Sequence, residues 1–222
     1  MPNAPKMVLL NAERLQILRE LALVDSDEET MYNQLTILAS KILDAPVSLV
    51  SMVGADYQFF KSFVGLPEPW ASRRRTPLSH SFCQHVVHSG EPLIVSDARE
   101  HDLVHDNKAI PDLNVIGYLG MPMTLRGGRT LGSFCVIDGE PRDWTETEIA
   151  IMRELSLIVI YEIELRAMVK RDASYQTHLD KAHEQIDQFI DNTNTEKVDQ
   201  AKFLERVRDA RETYFMLDNL NV

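Results

Sequence analysis

The sequence predicts an α+β fold: a central antiparallel sheet flanked by helices, followed by a long C-terminal helix or coiled coil. Three observations predict it. Helical periodicity opens the chain, short alternating or β-branched runs bounded by Gly, Pro and Asp fill its middle, and no Pro or Gly occurs after Trp144. The chain has 222 residues, 44% of them hydrophobic and only 7% aromatic, so Leu, Ile, Val and Met must fill the core.

The elements follow in order. Residues 1–9 are expected to be a flexible N-terminus. Asn11 caps a helix whose Leu15, Leu18, Leu21 and Ala22 recur at helical spacing. The stretch 24–27 breaks it, and Asp25 or Ser26 caps a second helix with Met31, Leu35, Leu38, Ala39 and Ile42 inward. Glu28 and Glu29 then lie in its first turn, where negative charge suits the helix dipole. Residues 47–53 and 57–64 read as a hairpin, with Phe59, Lys61 and Phe63 on one face and Phe60, Ser62 and Val64 on the other. A loop at 65–77 carries Arg73, Arg74 and Arg75, a solvated run or an anion or partner contact at a pocket rim. A short helix over 79–88 ends at Gly90, a strand covers 93–95, and 97–114 is polar and irregular. Strands at 115–125 and 130–138 flank the tight turn Gly127-Gly128. Thr145 and Glu148 fit a capping box that starts the last helical region.

A heptad frame then runs through Ile158, Tyr161, Leu165, Met168, Asp172, Tyr175, Leu179, Ala182, Ile186 and Phe189. Such a seam must be covered, either by a second copy or by folding back on its own domain; a homodimer through the terminal helices is the favoured expectation. Val198, Phe203, Leu204, Val207, Tyr214, Phe215 and Leu217 mark a final helix after a break near 191–196. The divisions are therefore 1–9, a domain over 10–168 and a helical tail over 169–222.

Charge and composition exclude several classes. A net charge of −11 disfavours phosphate backbones and anionic lipid, so neither a nucleic-acid nor a membrane partner is expected. No apolar run is long enough to span a bilayer, and no secretory signal opens the chain. Two cysteines cannot make a disulfide framework, which is consistent with a cytoplasmic, reducing location.

The middle of the chain resembles a GAF domain, the ligand-binding sensory module of bacterial signalling proteins. The resemblance rests on Asp56-x-x-Phe59-Phe60-Lys61-Ser62-x-x-Gly65-Leu66, Ser81-Phe82-Cys83, Pro92-Leu93-Ile94-Val95-x-Asp97-Ala98 and Tyr118-x-Gly120-x-Pro122. It continues in Leu131-Gly132-Ser133-Phe134-Cys135-Val136-Ile137-Asp138 and Pro141-Arg142. It implies a GAF-like sheet with terminal helices on one face and a small-molecule cavity over the other. Phe60, Phe82, Cys83, Asp97, Tyr118, Met121 and Cys135 are the candidate ligand-binding residues. It further implies a non-catalytic sensor that signals through its C-terminal helix to an effector protein or domain. Where many relatives carry Arg-Phe-Tyr, this chain has Ile116-Gly117-Tyr118, which removes an arginine that would pair an anionic ligand. No cofactor is identified.

Other motifs stand beside these. His80, Cys83, His85 and His88 would spread over roughly 200° of a helix, too wide for one metal ion. His101-Asp102-Leu103-Val104-His105 imitates a zinc-protease pattern with the shorter acid, in a non-helical setting. Cys83 and Cys135 suggest either small core residues or the thiols of a GAF-fold reductase of free methionine sulfoxide; Gln84 after Cys83 departs from the bilin-binding pattern. Asn107-Lys108 with Phe134-x-x-x-Asp138 matches scraps of a cyclic-nucleotide signature. His178 lacks the context of a kinase phosphoacceptor. The reductase and a dimerisation scaffold with a vestigial pocket are the alternatives to a sensor.

Overall fold

The structure, a computed structural model, describes residues 6–193 and 199–214. Six strands form one antiparallel sheet in the order β3-β2-β1-β6-β5-β4. They are β1 (Val47–Val53), β2 (Tyr57–Val64), β3 (Arg75–Pro77), β4 (Leu93–Val95), β5 (Gly117–Thr124) and β6 (Thr130–Asp138). The helices are α1 (Lys6–Leu9), α2 (Ala12–Glu20), α3 (Thr30–Leu43), α4 (Trp70–Arg73), α5 (Cys83–Ser89), α6 (Ala109–Leu113), α7 (Glu146–Arg171), α8 (Gln176–Thr193) and α9 (Gln200–Tyr214).

The sheet separates two cores, because successive side chains of a strand point to opposite faces. On one face Val50, Met52, Leu119, Met121, Phe134 and Val136 pack against α3, α7, α8 and α9. On the other, Leu49, Phe60, Tyr118, Cys135 and Ile137 pack against α5, α6 and Leu9 of α1. Lys6–Leu9 is thus a helical turn with a buried anchor where a flexible terminus is expected. Nearby, the fully buried Arg14 donates to the carbonyl oxygens of Val53 (2.5 Å) and Leu9 (2.6 Å), tying the N-terminal helices to the end of β1. Burial without a carboxylate partner brings its pKa down to about 10.

Several local features depart from the sequence expectation for physical reasons. Helix α3 starts at Thr30, after Asp25 and Ser26. Asp25 has positive φ (52°), and its carboxylate accepts from Tyr57 Oη (2.5 Å) and Arg75 (2.9 Å) instead of capping. In β2, Ser62 pairs with Val50 and Phe60 with Ser51, leaving Lys61 as a bulged residue. The bulge turns Lys61 and Ser62 together toward α3, while Phe60 and Phe63 share the opposite face, so strict alternation fails there. The loop at 65–77 contains α4 and the edge strand β3, whose Pro77 lacks a donor and is tolerated at an edge.

The C-terminal region also differs. Thr145 and Glu148 form the expected capping box, and α7 runs from it to Arg171. The continuous heptad helix ends there. Asp172 leaves helical geometry (φ −148°, ψ 114°), and its carboxylate accepts from Ser174 N (2.8 Å). The chain reverses, so that His183 of α8 meets Glu162 of α7 (3.0 Å). Leu179, Ala182, Ile186 and Phe189 are buried in the same core as Ile158 and Leu165. In this conformation the seam is therefore covered by its own domain, the second of the two outlets. Phe203 and Val207 of α9 complete this packing. Val198, Phe215 and Leu217 lie outside the described residues, as do residues 194–196 of the expected break.

Candidate functional site

A cavity of about 30 Å³ lies between the sheet and the helices that hold Cys83 and Ala109. Its floor is Leu49, Gln58, Phe60, Tyr118 and Ile137; its walls include His80, Phe82, Cys83, Leu113 and, from the loop after β2, Leu66 and Pro67. About 10–15 Å³ suffices for one water, so the space in this conformation accepts one or two water-sized molecules. A cyclic nucleotide or a bilin is far larger than this space.

The walls are held by buried polar contacts. Asn107 Oδ1 accepts from Ala109 N (2.9 Å) and its Nδ2 donates to Ser81 O (3.3 Å), which ties α6 to the start of α5. Ser81 Oγ donates to Gln58 Oε1, and Gln84 Nε2 donates to Leu78 O (2.6 Å) and Ser81 O (2.9 Å). At the mouth, His80 meets Asp112 of α6 (2.8 Å) and Ser79 Oγ (3.0 Å), with its ring against Trp70.

The inner end is a polar knot of sulfur and oxygen. Cys83 Sγ is 3.3 Å from Tyr118 Oη and 3.9 Å from Cys135 Sγ, and Tyr118 Oη is 3.3 Å from Ser133 Oγ. Gly120 makes this possible. A Cβ there would fall 2.3 Å from the Tyr118 oxygen, so only glycine lets the ring lie back along its own strand. A hydrogen bond from Cys135 lowers the Cys83 thiol against the opposing effect of burial, with Tyr118 adding to it. Burial pushes the Cys135 thiol and the Tyr118 hydroxyl well up.

Of the residues expected to line a ligand site, Phe60, Phe82, Cys83 and Tyr118 lie on the cavity wall. Cys135 stands directly behind Cys83 in the same core. Met121 does not join them. Three residues beyond Tyr118 on a strand, it points to the opposite face and packs in the helical core. Asp97 is also off the wall; in the turn after β4 it binds Arg99 Nε (2.9 Å) and Nη2 (2.5 Å). Gln58 and His80 are wall residues that the motifs did not single out. Gln58 was legible from its two-residue spacing to Phe60, His80 only from its place before Ser81-Phe82-Cys83.

The remaining motifs resolve into structure. Arg74 has positive φ (50°), donates to Ser26 O and Lys61 O (2.9 Å each) and lies over Phe59, away from the cavity rim. Asp138 binds Arg142 (3.2 Å). His101 and His105 sit in turns, and burial, with His88 and His101 nearby, pulls His85 down to about 4. Among the described residues no three His, Cys, Asp or Glu side chains converge to hold a metal ion. No helix among them is long and apolar enough to cross a membrane.

Across the sheet from the cavity lies a charge network, buried at Lys61 and Glu162 and partly exposed at Glu29, Arg166 and His183. Lys61 is fully buried and its Nζ meets Glu29 (2.5 Å), Ser26 Oγ (2.8 Å) and Asp27 O (3.1 Å). Glu29 also binds Arg166 of α7, which binds the fully buried Glu162, whose Oε2 accepts from His183 Nε2 of α8. Burial alone would raise the Glu29 carboxyl, but Arg166 and Lys61 outweigh it and hold it below the usual range. The Glu162 carboxylate raises His183.

The GAF domain family matches this chain over residues 27–163, more than half its length. A cyclic di-GMP phosphodiesterase of Pseudomonas aeruginosa is 27% identical over 146 residues, 65% of this chain and 24% of that protein. The chain therefore spans about a quarter of that curated relative. Among solved structures, the GAF domain of a phosphoenolpyruvate-protein phosphotransferase from Coxiella burnetii has a TM-score of 0.53 at 19% identity, covering 74% of this chain and 99% of that one. The blue-light absorbing form of the PixJ GAF domain of Thermosynechococcus elongatus has a TM-score of 0.52 at 17% identity, covering 74% and 96%. At these identities the likeness is one of fold.

Proposed function

The chain belongs to the GAF family, a family of sensory and ligand-binding modules, and from that premise we propose that it is a non-catalytic input module. A small molecule enters the cavity, and its presence sets how firmly α8 docks on α3 and α7 across the sheet. The carrying observation is the arrangement itself. One sheet bears the cavity on one face and the folded-back tail on the other, with Lys61, Glu29, Arg166, Glu162 and His183 leading from β2 to α8. Undocked, α8 exposes Leu179, Ile186 and Phe189, an apolar seam that a second copy or an effector can cover. Homodimerisation through the terminal helices and contact with an effector are thus properties of the undocked state. The match to a quarter of a much longer phosphodiesterase supports a regulatory part beside a separate effector.

The test is native mass spectrometry of the purified chain, followed by hydrogen exchange with and without any small molecule that co-purifies. The reading expects exchange across 176–193 to change when the molecule is bound. A bound molecule that leaves α8 exchange unaltered would refute the relay. A chain that turns over free methionine sulfoxide, and loses this in Cys83→Ser, would replace the sensor with the reductase.

A further inference from the structure

Cys83 and Cys135 are 52 residues apart in sequence and come from different elements, the start of α5 and the middle of β6. Both are buried free thiols, and their sulfurs are in contact at 3.9 Å. A disulfide bond is about 2.05 Å long, so closing one asks for an approach of roughly 2 Å. A pair held this close, with one sulfur facing a water-sized cavity and the other behind it, is more than two small core residues. We propose that Cys83 and Cys135 form a reversible redox pair, closed to an intramolecular disulfide by a small peroxide that enters through the cavity.

The geometry assigns the roles. Cys83 lines the cavity and Cys135 lies behind it, so an oxidant reaches Cys83 first. The oxidant class follows from space: about 30 Å³ admits hydrogen peroxide and excludes a bulky disulfide such as oxidised glutathione. The Cys83 thiolate attacks one peroxide oxygen. The O–O bond breaks, the second oxygen leaves as water with the thiol proton, and Cys83 becomes a sulfenic acid. Cys135 sulfur then attacks Cys83 sulfur. The S–S bond forms, the S–O bond breaks, and hydroxide leaves as water with the Cys135 proton. In sum, two thiols and one hydrogen peroxide give one disulfide and two waters; each sulfur loses one electron and the peroxide gains two. Tyr118 is a positioning residue, since its hydroxyl touches Cys83 Sγ and Ser133 Oγ at 3.3 Å each.

The closed bond would clamp α5 onto the central strand. Cys135 pairs with Leu49 of β1 and Gly120 of β5, and its chain neighbours Phe134 and Val136 belong to the helical core. Oxidation is therefore a covalent input to the same sheet, independent of any ligand. Dithiols that close and reopen in this way are the kind found in reducing compartments.

The experiment uses the full chain, reduced and then exposed to hydrogen peroxide in modest molar excess. Intact-mass and free-thiol measurements after quenching and denaturation read the product. Expected is the loss of two hydrogens and of both free thiols, a linked 83–135 peptide, and full reversal by dithiothreitol. Cys135→Ala should instead accumulate a Cys83 sulfenic acid that dimedone captures. Tyr118→Phe should slow disulfide formation several-fold while leaving the product the same. The wild-type product alone decides the proposal if a variant fails to fold. Two free thiols persisting under conditions that oxidise the denatured chain would overturn it. So would a first product carrying two added oxygens on Cys83, or a disulfide formed only between chains.

Discussion

Glu29 serves two cations at once, and replacing it with glutamine tests whether that matters. Its Oε1 is 2.5 Å from Lys61 Nζ and its Oε2 contacts Arg166. Glu29→Gln keeps the shape and removes the charge. Lys61, with a side chain only 1% exposed, then keeps its hydroxyl and carbonyl partners but loses its counter-charge. Breaking a buried ion pair from one side costs about 3–5 kcal/mol. Glu29 is itself 29% exposed, so water shares the load and the expected loss is about 2 kcal/mol. With a urea m-value of about 2 kcal/mol/M, the unfolding midpoint should fall by about 1 M. The pH dependence gives a second reading. The folded Glu29 carboxyl is held below its unfolded value of 4.5, so its contribution is present above that value and disappears as pH falls through the lower folded one. Wild type and variant should therefore differ at neutral pH and converge in acid. In a double-mutant cycle with Lys61→Met, the second substitution should cost less than the first. Equal midpoints at pH 7, or a gap that survives undiminished in acid, would refute the view of Glu29 as the shared counter-ion.

Two further outcomes follow from single contacts. The His183 side chain has a raised folded pKa beside Glu162, so its contribution is complete below the unfolded value of 6.5 and is lost as pH rises through the folded one; hydrogen exchange in 176–193, corrected for intrinsic rate, should quicken as pH rises through that folded value, and His183→Gln should abolish the change. Gly120→Ala places a methyl group 2.3 Å from the Tyr118 oxygen and should destabilise the chain by about 1–3 kcal/mol through overpacking; unchanged thermal unfolding would show that Tyr118 has room to move.

Periodicity and caps were enough to locate the long strands and α7, because each carries its own local signal: alternation in β6, a capping box at Thr145. β3 was not legible, since three residues ending in proline make a strand only where Phe59 and Gln58 are there to pair with them. The bulge at Lys61 was hidden for the same reason: register belongs to two strands, not one. The tail shows a different limit. A heptad seam satisfies a neighbouring helix from the same chain as well as one from a copy, and the choice turned on Asp172, whose capping bond to Ser174 breaks the helix. At the site, the motif residues Phe60, Phe82, Cys83 and Tyr118 converge, and Met121 was excludable from strand parity alone. The Cys83–Cys135 contact was out of reach, because a separation of 52 residues carries no distance information.

The two cores share no buried residue, although both draw on β1, β5 and β6. Substitutions that are distant and share no partner have nearly additive effects on stability. A descendant of this chain can thus exchange Phe82, Leu113 or Ile137 for side chains of other sizes without disturbing the packing of Ile158 against Ile186. Recognition and output can drift at separate rates, which makes the backbone a two-sided template: one face is open to new chemistry while the other holds the message constant.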